Sequence, residues 1–154
     1  MIKYSPQMTG VCFEEIPDYI SLGVSISNCL GLCEGCHSPE LRQNVGIELT
    51  KEEVDNLLNK NKGINCVLFL GEGNDRASLI EIIQYIKENY NTLKIALYSG
   101  RNRVENEIEG LLDFIKIGPY IAKYGPLNKK STNQRLYEIK NGEKIDITER
   151  FWKR

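Results

Sequence analysis

Three of the chain's five cysteines lie within eight residues, in a segment that reads CLGLCEGCH from Cys29 onward. Thiolate sulfur is the ligand that iron–sulfur clusters use. Three thiolates in one loop can bind three irons of a cubane cluster and leave its fourth iron without a protein ligand, and Gly31 and Gly35 allow the backbone to turn tightly around such a group. The spacing therefore predicts that Cys29, Cys33 and Cys36 bind an iron–sulfur cluster.

Three other interpretations of these cysteines stay open on spacing alone. A structural zinc site needs a fourth ligand, which His37, Cys12 or Cys66 would provide, but such sites usually have two ligand pairs spread along the chain and the sequence has no second pair. A thioredoxin-like pair formed by the second and third cysteines leaves the first one unused. The last interpretation is three buried structural cysteines, for which the dense spacing among glycines is not typical.

The size and charge of the chain argue against several classes of protein. Its 154 residues predict one domain over 1–154, and 20 basic against 21 acidic residues leave no cationic excess for binding nucleic acid. No apolar run approaches the ~20 residues of a membrane span, and the first residues lack the apolar core of a secretory signal. We therefore expect a cytoplasmic protein without nucleic-acid or membrane partners, whose odd number of cysteines stay reduced.

Hydrophobic periodicity predicts that strands and helices alternate along the chain. Thr50 and Glu53 form a capping box at the start of a helix, and Asn141-Gly142 is a strong signal for a hairpin turn. The predicted elements, in chain order, are a strand over 22–26, a helix over about 50–60, a strand over 66–70, a helix around 79–86, a strand over 93–98, a short helix around 104–111, a strand over 114–117, and two strands over 135–139 and 145–147.

This alternation predicts an α/β fold with a parallel sheet, because parallel strands need crossover connections. Polar or glycine-containing segments directly follow four of the strands, at 28–37, 71–74, 99–101 and 118–120. Segments that leave the carboxyl ends of parallel strands meet at one edge of the sheet. Four or so parallel strands are too few for a closed eight-stranded barrel, so we expect an open partial (β/α) barrel with a C-terminal β-hairpin.

The motifs resemble those of a known enzyme superfamily. The Cys-x3-Cys-x2-Cys spacing at the end of the first strand is the signature of the radical S-adenosylmethionine enzymes, and the following HSPE over 37–40 resembles the glycyl-radical activases. The segments LGEG, ALYSGR, DFIKIGPY and TNQR, which begin at positions 70, 96, 113 and 132, are similar to the activating proteins of anaerobic ribonucleoside-triphosphate reductase over nearly the whole chain. One departure is Gly-Glu-Gly at 71–73, where the superfamily usually has Gly-Gly-Glu.

The resemblance implies an oxidoreductase with two cofactors, a [4Fe–4S] cluster and S-adenosyl-L-methionine. Cys29, Cys33 and Cys36 would be the metal ligands and catalytic residues. Reductive cleavage of S-adenosylmethionine would yield a 5′-deoxyadenosyl radical, which would generate a glycyl radical on the glycyl-radical subunit of the reductase. A low-potential electron donor such as flavodoxin would be a further partner. The alternatives are an activase of another glycyl-radical enzyme, of pyruvate formate-lyase type, and a zinc-stabilised binding module without catalysis.

The resemblance also assigns cofactor-binding positions along the predicted edge. His37 would stack on the adenine, Gly71 and Glu72 would meet the methionyl amino group, and Ser99 would bond the methionyl or ribose part unless it is a plain turn serine. Lys116 alternates with two isoleucines, so it points either into the open barrel or to solvent at a sheet edge. The assigned positions are Gly35, Cys36, His37, Gly71, Glu72, Gly73, Ser99 and Lys116.

Two further segments receive weaker predictions. Asn133, Gln134 and Arg135 are expected at the mouth of the site or on the partner surface. The basic aromatic tail over 150–154 either docks the partner protein or forms a C-terminal strand that packs Phe151 and Trp152 against the sheet.

Overall fold

The computed structural model describes residues 1–27 and 46–152 of the chain. The three cysteines of the predicted cluster, together with Gly35 and His37, lie outside the described residues. The strands are β1 (Lys3–Tyr4), β2 (Gly10–Cys12), β3 (Ser21–Ser25), β4 (Ile47–Glu48), β5 (Cys66–Leu70), β6 (Lys94–Tyr98), β7 (Phe114–Ile117), β8 (Arg135–Lys140) and β9 (Glu143–Asp146). The helices are α1 (Lys51–Lys60), α2 (Arg76–Asn89) and α3 (Asn106–Glu109), with 3₁₀ turns at Pro6–Met8 and Thr148–Phe151.

Seven of the strands form one mixed sheet in the order β2-β3-β5-β6-β7-β8-β9. The four central strands, β3, β5, β6 and β7, are parallel, and the helices connect them in sequence, which confirms the predicted alternation and the α/β class. Antiparallel strands extend this sheet on both sides, and β1 pairs with β4 in a separate two-stranded sheet. Sequence periodicity did not predict β1, β2 or β4, because each has only two or three residues.

The helix boundaries follow from the capping residues. Thr50 Oγ1 accepts a hydrogen bond of 3.1 Å from the backbone N–H of Glu53, so α1 begins at Lys51. The Glu53 carboxylate accepts instead from the Tyr4 hydroxyl at 3.0 Å, which ties α1 to β1. At the start of α2, Asp75 Oδ1 accepts from the backbone N–H of Ser78 at 3.2 Å. Both caps satisfy backbone donors that the first helical turn leaves without a partner.

Hydrophobic packing covers both faces of the sheet. On one face, residues such as Phe69, Leu97 and Ile115 pack with the apolar sides of the helices, including Ile83 of α2. On the other face, Leu68, Ala96, Phe114 and Leu136 pack with Ile16, Tyr19, Ile147 and Phe151 from the segments that flank the central strands. Burial on both faces explains why the central strands have continuous apolar runs rather than alternating patterns.

The C-terminal part confirms one prediction and corrects another. β8 and β9 form the predicted hairpin, and Asn141 and Gly142 in its turn have φ of 51° and 80°, as a type I′ turn requires. The segment after β9 is not a strand, since Thr148–Phe151 forms a 3₁₀ turn. Thr148 Oγ1 accepts a hydrogen bond of 2.8 Å from the backbone of Leu136, and this contact with β8 favours the compact turn.

Within residues 1–27 and 46–152, we find no helix with the length and apolarity that crossing a membrane would require.

The packing of α2 on the sheet can be tested at Ile83, which is fully buried. We expect Ile83→Ala to lower the free energy of unfolding by about 2–5 kcal/mol, because it leaves a cavity beneath the helix. Urea denaturation followed by circular dichroism measures this change. Glu88→Ala, an exposed position of the same helix, is the matched control and should change it by less than about 0.5 kcal/mol. Equal effects of both substitutions would contradict the described packing.

Candidate functional site at the carboxyl ends of the parallel strands

The parallel strands end in register, so the segments that follow them meet at one edge of the sheet. Ser25, Leu70, Tyr98 and Lys116 are paired across β3, β5, β6 and β7. The hydrogen-bond ladder continues past these residues, from Ile26 N to Leu70 O (3.2 Å), from Gly71 N to Tyr98 O (3.0 Å) and from Ser99 N to Lys116 O (2.8 Å). We call the residues 26–27, 71–74, 99–101 and 118 the carboxyl edge. Three of the four predicted segments meet there, and the cysteine segment follows the carboxyl edge directly in the chain.

The Gly-Glu-Gly segment turns sharply at the end of β5. Gly71 has φ of 106° and Gly73 has φ of 71°, a region that side chains with a Cβ rarely adopt. A Cβ at Gly73 would lie 2.9 Å from Ile26 Cγ2, so this glycine also allows close packing against the end of β3. The segment therefore lies against the last residues before the cysteine motif.

The Glu72 carboxylate lies at the centre of a hydrogen-bonded network. Glu72 Oε2 accepts from the hydroxyl of the buried Ser99 at 2.5 Å and from Arg101 Nε at 3.0 Å, and Glu72 Oε1 pairs with Arg101 Nη2. The Ser99 Oγ also accepts from the backbone N–H of Arg101 at 3.1 Å. The structure thus brings two predicted site residues, Glu72 and Ser99, together, and adds Arg101 as their cationic partner.

Arg101 also binds a second carboxylate, that of Glu105. Its Nη1 and Nη2 donate to the two oxygens of Glu105 at 2.9 Å and 2.8 Å, and Arg76 Nη2 lies 3.3 Å from the same carboxylate. The Arg101 guanidinium holds the pKa of Glu105 at about 2, below its ordinary value of 4.5. In return, Glu105 and then Glu72 raise the pKa of Arg101. These four side chains form an ion-pair network that links the ends of β5 and β6 to α2 and the start of α3.

A cavity of about 190 Å³ opens beside this network. The ion-paired side chains and the backbone of the glycine segments form its polar wall, and Leu79 and Ile108 form an apolar wall on the helix side. The Glu72 side chain is 16% exposed and the Arg101 side chain 48% exposed. Charges of both signs are therefore within reach of a small molecule.

Lys116 lies on the face of the sheet opposite the helices, and it does not extend to solvent. It is 7% exposed, its Nζ donates to the Gly118 carbonyl at 3.3 Å and lies 5.3 Å from the centre of the Tyr98 ring. Gln134, also buried, donates to the same carbonyl at 3.2 Å. The prediction of an edge lysine facing solvent is wrong, because neighbouring strands cover this position on both sides.

Asn133 and Arg135, which were predicted together with Gln134 at the mouth of the site or on the partner surface, both contact other parts of the chain. Asn133 Nδ2 donates to the Pro119 carbonyl at 3.1 Å, while its buried Oδ1 has no hydrogen-bond partner within the described part of the chain. Arg135 lies in β8, 3.6 Å from the carboxylate of Asp146. Trp152 from the basic aromatic tail donates to the Leu127 carbonyl at 2.9 Å and packs under Arg135.

The two described cysteines lie far from the carboxyl edge. Cys12 and Cys66 are paired with Ser21 from the strands on either side of β3, at the amino ends of the parallel strands. At the rise of an extended strand, Cys66 is about 13 Å from Leu70 at the other end of β5. Cys66 is fully buried, and burial raises the pKa of its thiol to about 12. Cys12 is only partly buried. Among the residues described, no three His, Cys, Asp or Glu side chains form a metal-binding group.

Sequence reasoning placed Arg101 in a motif but did not assign it to the site, and it missed Glu105. Their spacing of four residues carried no helical signal, because Arg101 lies before α3 and Glu105 is the N-cap residue of that helix. The contact of Arg101 with Glu72 had no local signal either, because the two residues are 29 positions apart.

The ion-pair network predicts a pH dependence of stability. Because the folded-state pKa of Glu105 is about 2 and its ordinary value is 4.5, its contribution is complete above pH 4.5 and is lost as the pH falls towards 2. We expect Glu105→Gln to lower the free energy of unfolding by about 0.5–1 kcal/mol at neutral pH, because partly exposed ion pairs contribute little. Near pH 2 the substitution should not change the free energy of unfolding. Urea denaturation of both proteins across this pH range measures the difference.

The matched control is Glu107→Gln, which removes an exposed carboxylate from the same short helix. A difference between wild type and Glu105→Gln that stays constant from neutral pH down to pH 2 would contradict the described ion pair.

Comparison with known proteins gave no match: no family model, no curated protein and no solved structure is similar to the chain. The function of the site is therefore inferred from its own residues and geometry, together with the resemblance of its motifs.

Proposed function

We propose that the chain is a cytoplasmic radical S-adenosylmethionine enzyme that activates a glycyl-radical enzyme. In this proposal Cys29, Cys33 and Cys36 would hold a [4Fe–4S] cluster, which would supply the reductive cleavage of S-adenosylmethionine to methionine and a 5′-deoxyadenosyl radical. That radical would take a hydrogen atom from a glycine of anaerobic ribonucleoside-triphosphate reductase, which gives 5′-deoxyadenosine and a glycyl radical on the reductase. Flavodoxin or a similar low-potential protein supplies the electron.

The observation that carries the proposal is the meeting of strand ends at the carboxyl edge. Ser27, the last described residue before the cysteine segment, lies beside Gly73, since a Cβ on that glycine would be 3.5 Å from the Ser27 carbonyl. The last described residue before the three-cysteine segment thus lies beside the glycine segment that the resemblance assigns to the ligand amino group. A ligand that contacts both the proposed cluster and the glycine segment needs this proximity, because reacting groups must be held near each other.

The described residues fit a ligand with an amino group, a carboxylate and an aliphatic chain. Gly71 and Gly73 line the cavity, and the Glu72 carboxylate is a suitable acceptor for an amino group. Arg101 is a suitable donor for a carboxylate, and Leu79 and Ile108 provide apolar surface. S-adenosylmethionine has all three features in its methionyl part.

The positions of Cys12 and Cys66 favour the cluster over a zinc site that would use either of them. Both lie at the amino ends of the strands, away from the carboxyl edge where the cysteine segment begins. Cys66 is also fully buried, and its raised pKa disfavours the thiolate that a metal requires. The remaining cysteines number three, which is the ligand count of a cluster with one open iron.

The topology supports the open partial (β/α) barrel that the resemblance implies. The four parallel strands are adjacent in chain order, and all three helices contribute to the core on one face of the sheet. Barrels and half-barrels of this family are built in this way, with each crossover helix on the outer face. The opposite face, which carries Lys116 and Tyr98, would be the inner face.

The residues of the chain would bind, orient and shield the ligand. When bound, the cluster supplies the electron that breaks the carbon–sulfur bond of the sulfonium. Glu72, held by Ser99, would orient the ligand amino group, and the apolar wall of Leu79 and Ile108 would exclude water from its aliphatic chain. Lys116 lies on the face of the sheet opposite this cavity, where its bond to the Gly118 carbonyl would hold the end of β7 in place.

The cluster and its chemistry are tested by one pair of variants. Protein purified without oxygen should be brown and contain close to four irons per chain, because this is the composition of the proposed cluster. After reduction in the presence of S-adenosylmethionine, it should produce 5′-deoxyadenosine. Cys33→Ala should abolish both the iron and the product. Cys12→Ala is the matched control, and it should retain both because Cys12 lies at the amino ends of the strands.

Product formation by Cys33→Ala would contradict the ligand assignment. Colourless wild-type protein with one zinc per chain would contradict the enzyme and favour a zinc-stabilised binding module.

The choice of partner is tested by electron paramagnetic resonance. Incubation of the reduced protein and S-adenosylmethionine with the glycyl-radical subunit of anaerobic ribonucleoside-triphosphate reductase should produce a glycyl-radical signal, and Cys33→Ala should produce none. The same incubation with pyruvate formate-lyase should give no signal, since the motifs of the chain resemble those of the reductase activases. A radical on pyruvate formate-lyase alone would assign the protein to that partner instead.

A further inference from the structure

The loop between β7 and β8 concentrates positive charge at one place on the surface. From Gly118 to Gln134 the sequence has three lysines, Lys123, Lys129 and Lys130, and no acidic residue. The whole chain has 20 basic and 21 acidic residues, so the remainder of the chain is net acidic. We call residues 119–134 the lysine loop. Its charge is a local feature that the composition of the chain does not predict.

The three lysines of the loop are available to an external partner. All three are exposed, and none forms an ion pair with a residue in 1–27 or 46–152. By contrast, Arg135, which follows the loop in β8, lies 3.6 Å from the carboxylate of Asp146. A carboxylate from another protein can therefore pair with these lysines without displacing an ion pair within the described residues.

Side-chain hydrogen bonds hold the lysine loop in one shape. The Ser131 hydroxyl donates to the Tyr124 carbonyl at 2.6 Å, across the loop. The indole N–H of Trp152 donates to the Leu127 carbonyl at 2.9 Å, which ties the loop to the C-terminal 3₁₀ turn. Gly125, with φ of 84°, allows the backbone to turn between these two contacts. The lysines therefore extend from an ordered backbone, and an ordered surface loses less conformational freedom when a partner binds.

Both ends of the lysine loop are fixed at the carboxyl edge. The Gly118 N–H donates to the Arg101 carbonyl at 2.7 Å. The Gly118 carbonyl accepts from Lys116 before the loop at 3.3 Å and from Gln134 at its end at 3.2 Å. Ser27, the last described residue before the cysteine segment, belongs to the same edge. A protein that binds the lysine loop therefore approaches the edge of the sheet at which the proposed function requires an electron.

The lysine loop combines exposed charge with one exposed aromatic ring. Tyr124 is 40% exposed, and the Nζ of Lys123 lies 5.6 Å from the centre of its ring. Tyrosine is enriched where proteins contact each other, and charges around such a residue raise the rate of association more than the affinity. Electron-transfer complexes are small and short-lived, because the donor must leave after each transfer. A small charged loop suits a partner of this kind.

We propose that the lysine loop is the docking surface for the low-potential electron donor, which binds through a surface rich in carboxylates. The inference rests on the proposed function, in which such a donor takes part. The donor is oxidised by one electron, which the cleavage of S-adenosylmethionine consumes, and no atom passes between the two proteins. The three lysines pair with carboxylates of the donor, and the Tyr124 ring packs between these ion pairs.

The experiment measures the dissociation constant of flavodoxin, a small acidic flavoprotein, by calorimetric titration of cluster-loaded protein without oxygen. The combined variant Lys123→Gln, Lys129→Gln and Lys130→Gln should bind flavodoxin about 10-fold more weakly at about 0.1 M ionic strength, since each exposed ion pair changes binding by a few-fold. Wild-type affinity should fall as the ionic strength rises to about 1 M, because the Debye length shortens from about 10 to about 3 Å. The variant should lose most of this salt dependence.

Two control variants separate the lysine loop from net charge and from apolar contact. The combination of Lys60→Gln, Lys62→Gln and Lys94→Gln removes the same charge from exposed lysines at the amino ends of the strands, and it should change the constant by less than about 2-fold because salt screens distant charges. Tyr124→Ala should weaken binding by about 5-fold or more and leave the salt dependence unchanged. Circular dichroism checks that every variant is folded.

Equal weakening of flavodoxin binding by the two lysine combinations would overturn the inference, because net charge alone would then explain it. Unchanged binding by the lysine-loop variant would overturn it as well. If that variant instead bound the glycyl-radical subunit of the reductase more weakly, the loop would belong to the reductase interface.

The proposed function is tested separately, with dithionite as the reductant of the wild-type protein. Production of 5′-deoxyadenosine with dithionite, together with no binding of flavodoxin, would overturn this inference alone. No product with dithionite would overturn the proposed function and this inference with it.

Discussion

The in-register pairing of four parallel strands is the constraint on which the rest of the structure depends. Ser25, Leu70, Tyr98 and Lys116 lie side by side, so segments that are distant in the chain leave the sheet at one edge. Apolar packing on both faces holds this register, because a shift by one residue would exchange the buried faces of a strand. The glycine segment, the ion-pair network and Ser27, the last described residue before the cysteine segment, therefore meet at the carboxyl edge.

At the carboxyl edge, rigid backbone and polar side chains have complementary roles. The sheet fixes where each strand ends, and Gly73 allows the segment after β5 to pack closely against the end of β3. The Glu72–Ser99–Arg101–Glu105 network then orients the charges without a change of the strands. Such preorganisation lowers the cost of binding, because the side chains are ordered before the ligand arrives. A wall that combines both signs of charge with apolar surface suits a small zwitterionic ligand better than a simple anion or cation.

Strands and helices with strong local sequence patterns could be predicted, and those with weak patterns could not. The central strands and α2 were predicted well, since they have continuous apolar runs or a clear helical stripe and are bounded by glycine or capping residues. The hairpin followed from Asn141-Gly142, where the turn type demands these residues. β1, β2 and β4 were missed because two or three residues carry no periodicity, and their pairing is decided by distant partners. The alternative of a C-terminal strand over 150–154 is wrong for the described residues up to Trp152, because the contact of Thr148 with Leu136, elsewhere in the chain, favours a 3₁₀ turn over Thr148–Phe151.

The sequence by itself determined the edge of the sheet at which Gly71, Glu72 and Ser99 lie. That the three clustered cysteines bind an iron–sulfur cluster stays a prediction from their spacing. It did not determine what the Glu72 carboxylate binds. Only the tertiary structure decided that Arg101, 29 positions away, would pair with it, and that Lys116 would be buried against Tyr98. The physical reason is that strand order and direction follow from local patterns, whereas the partner of a charged side chain depends on which loops the packed sheet brings within about 3 Å of each other.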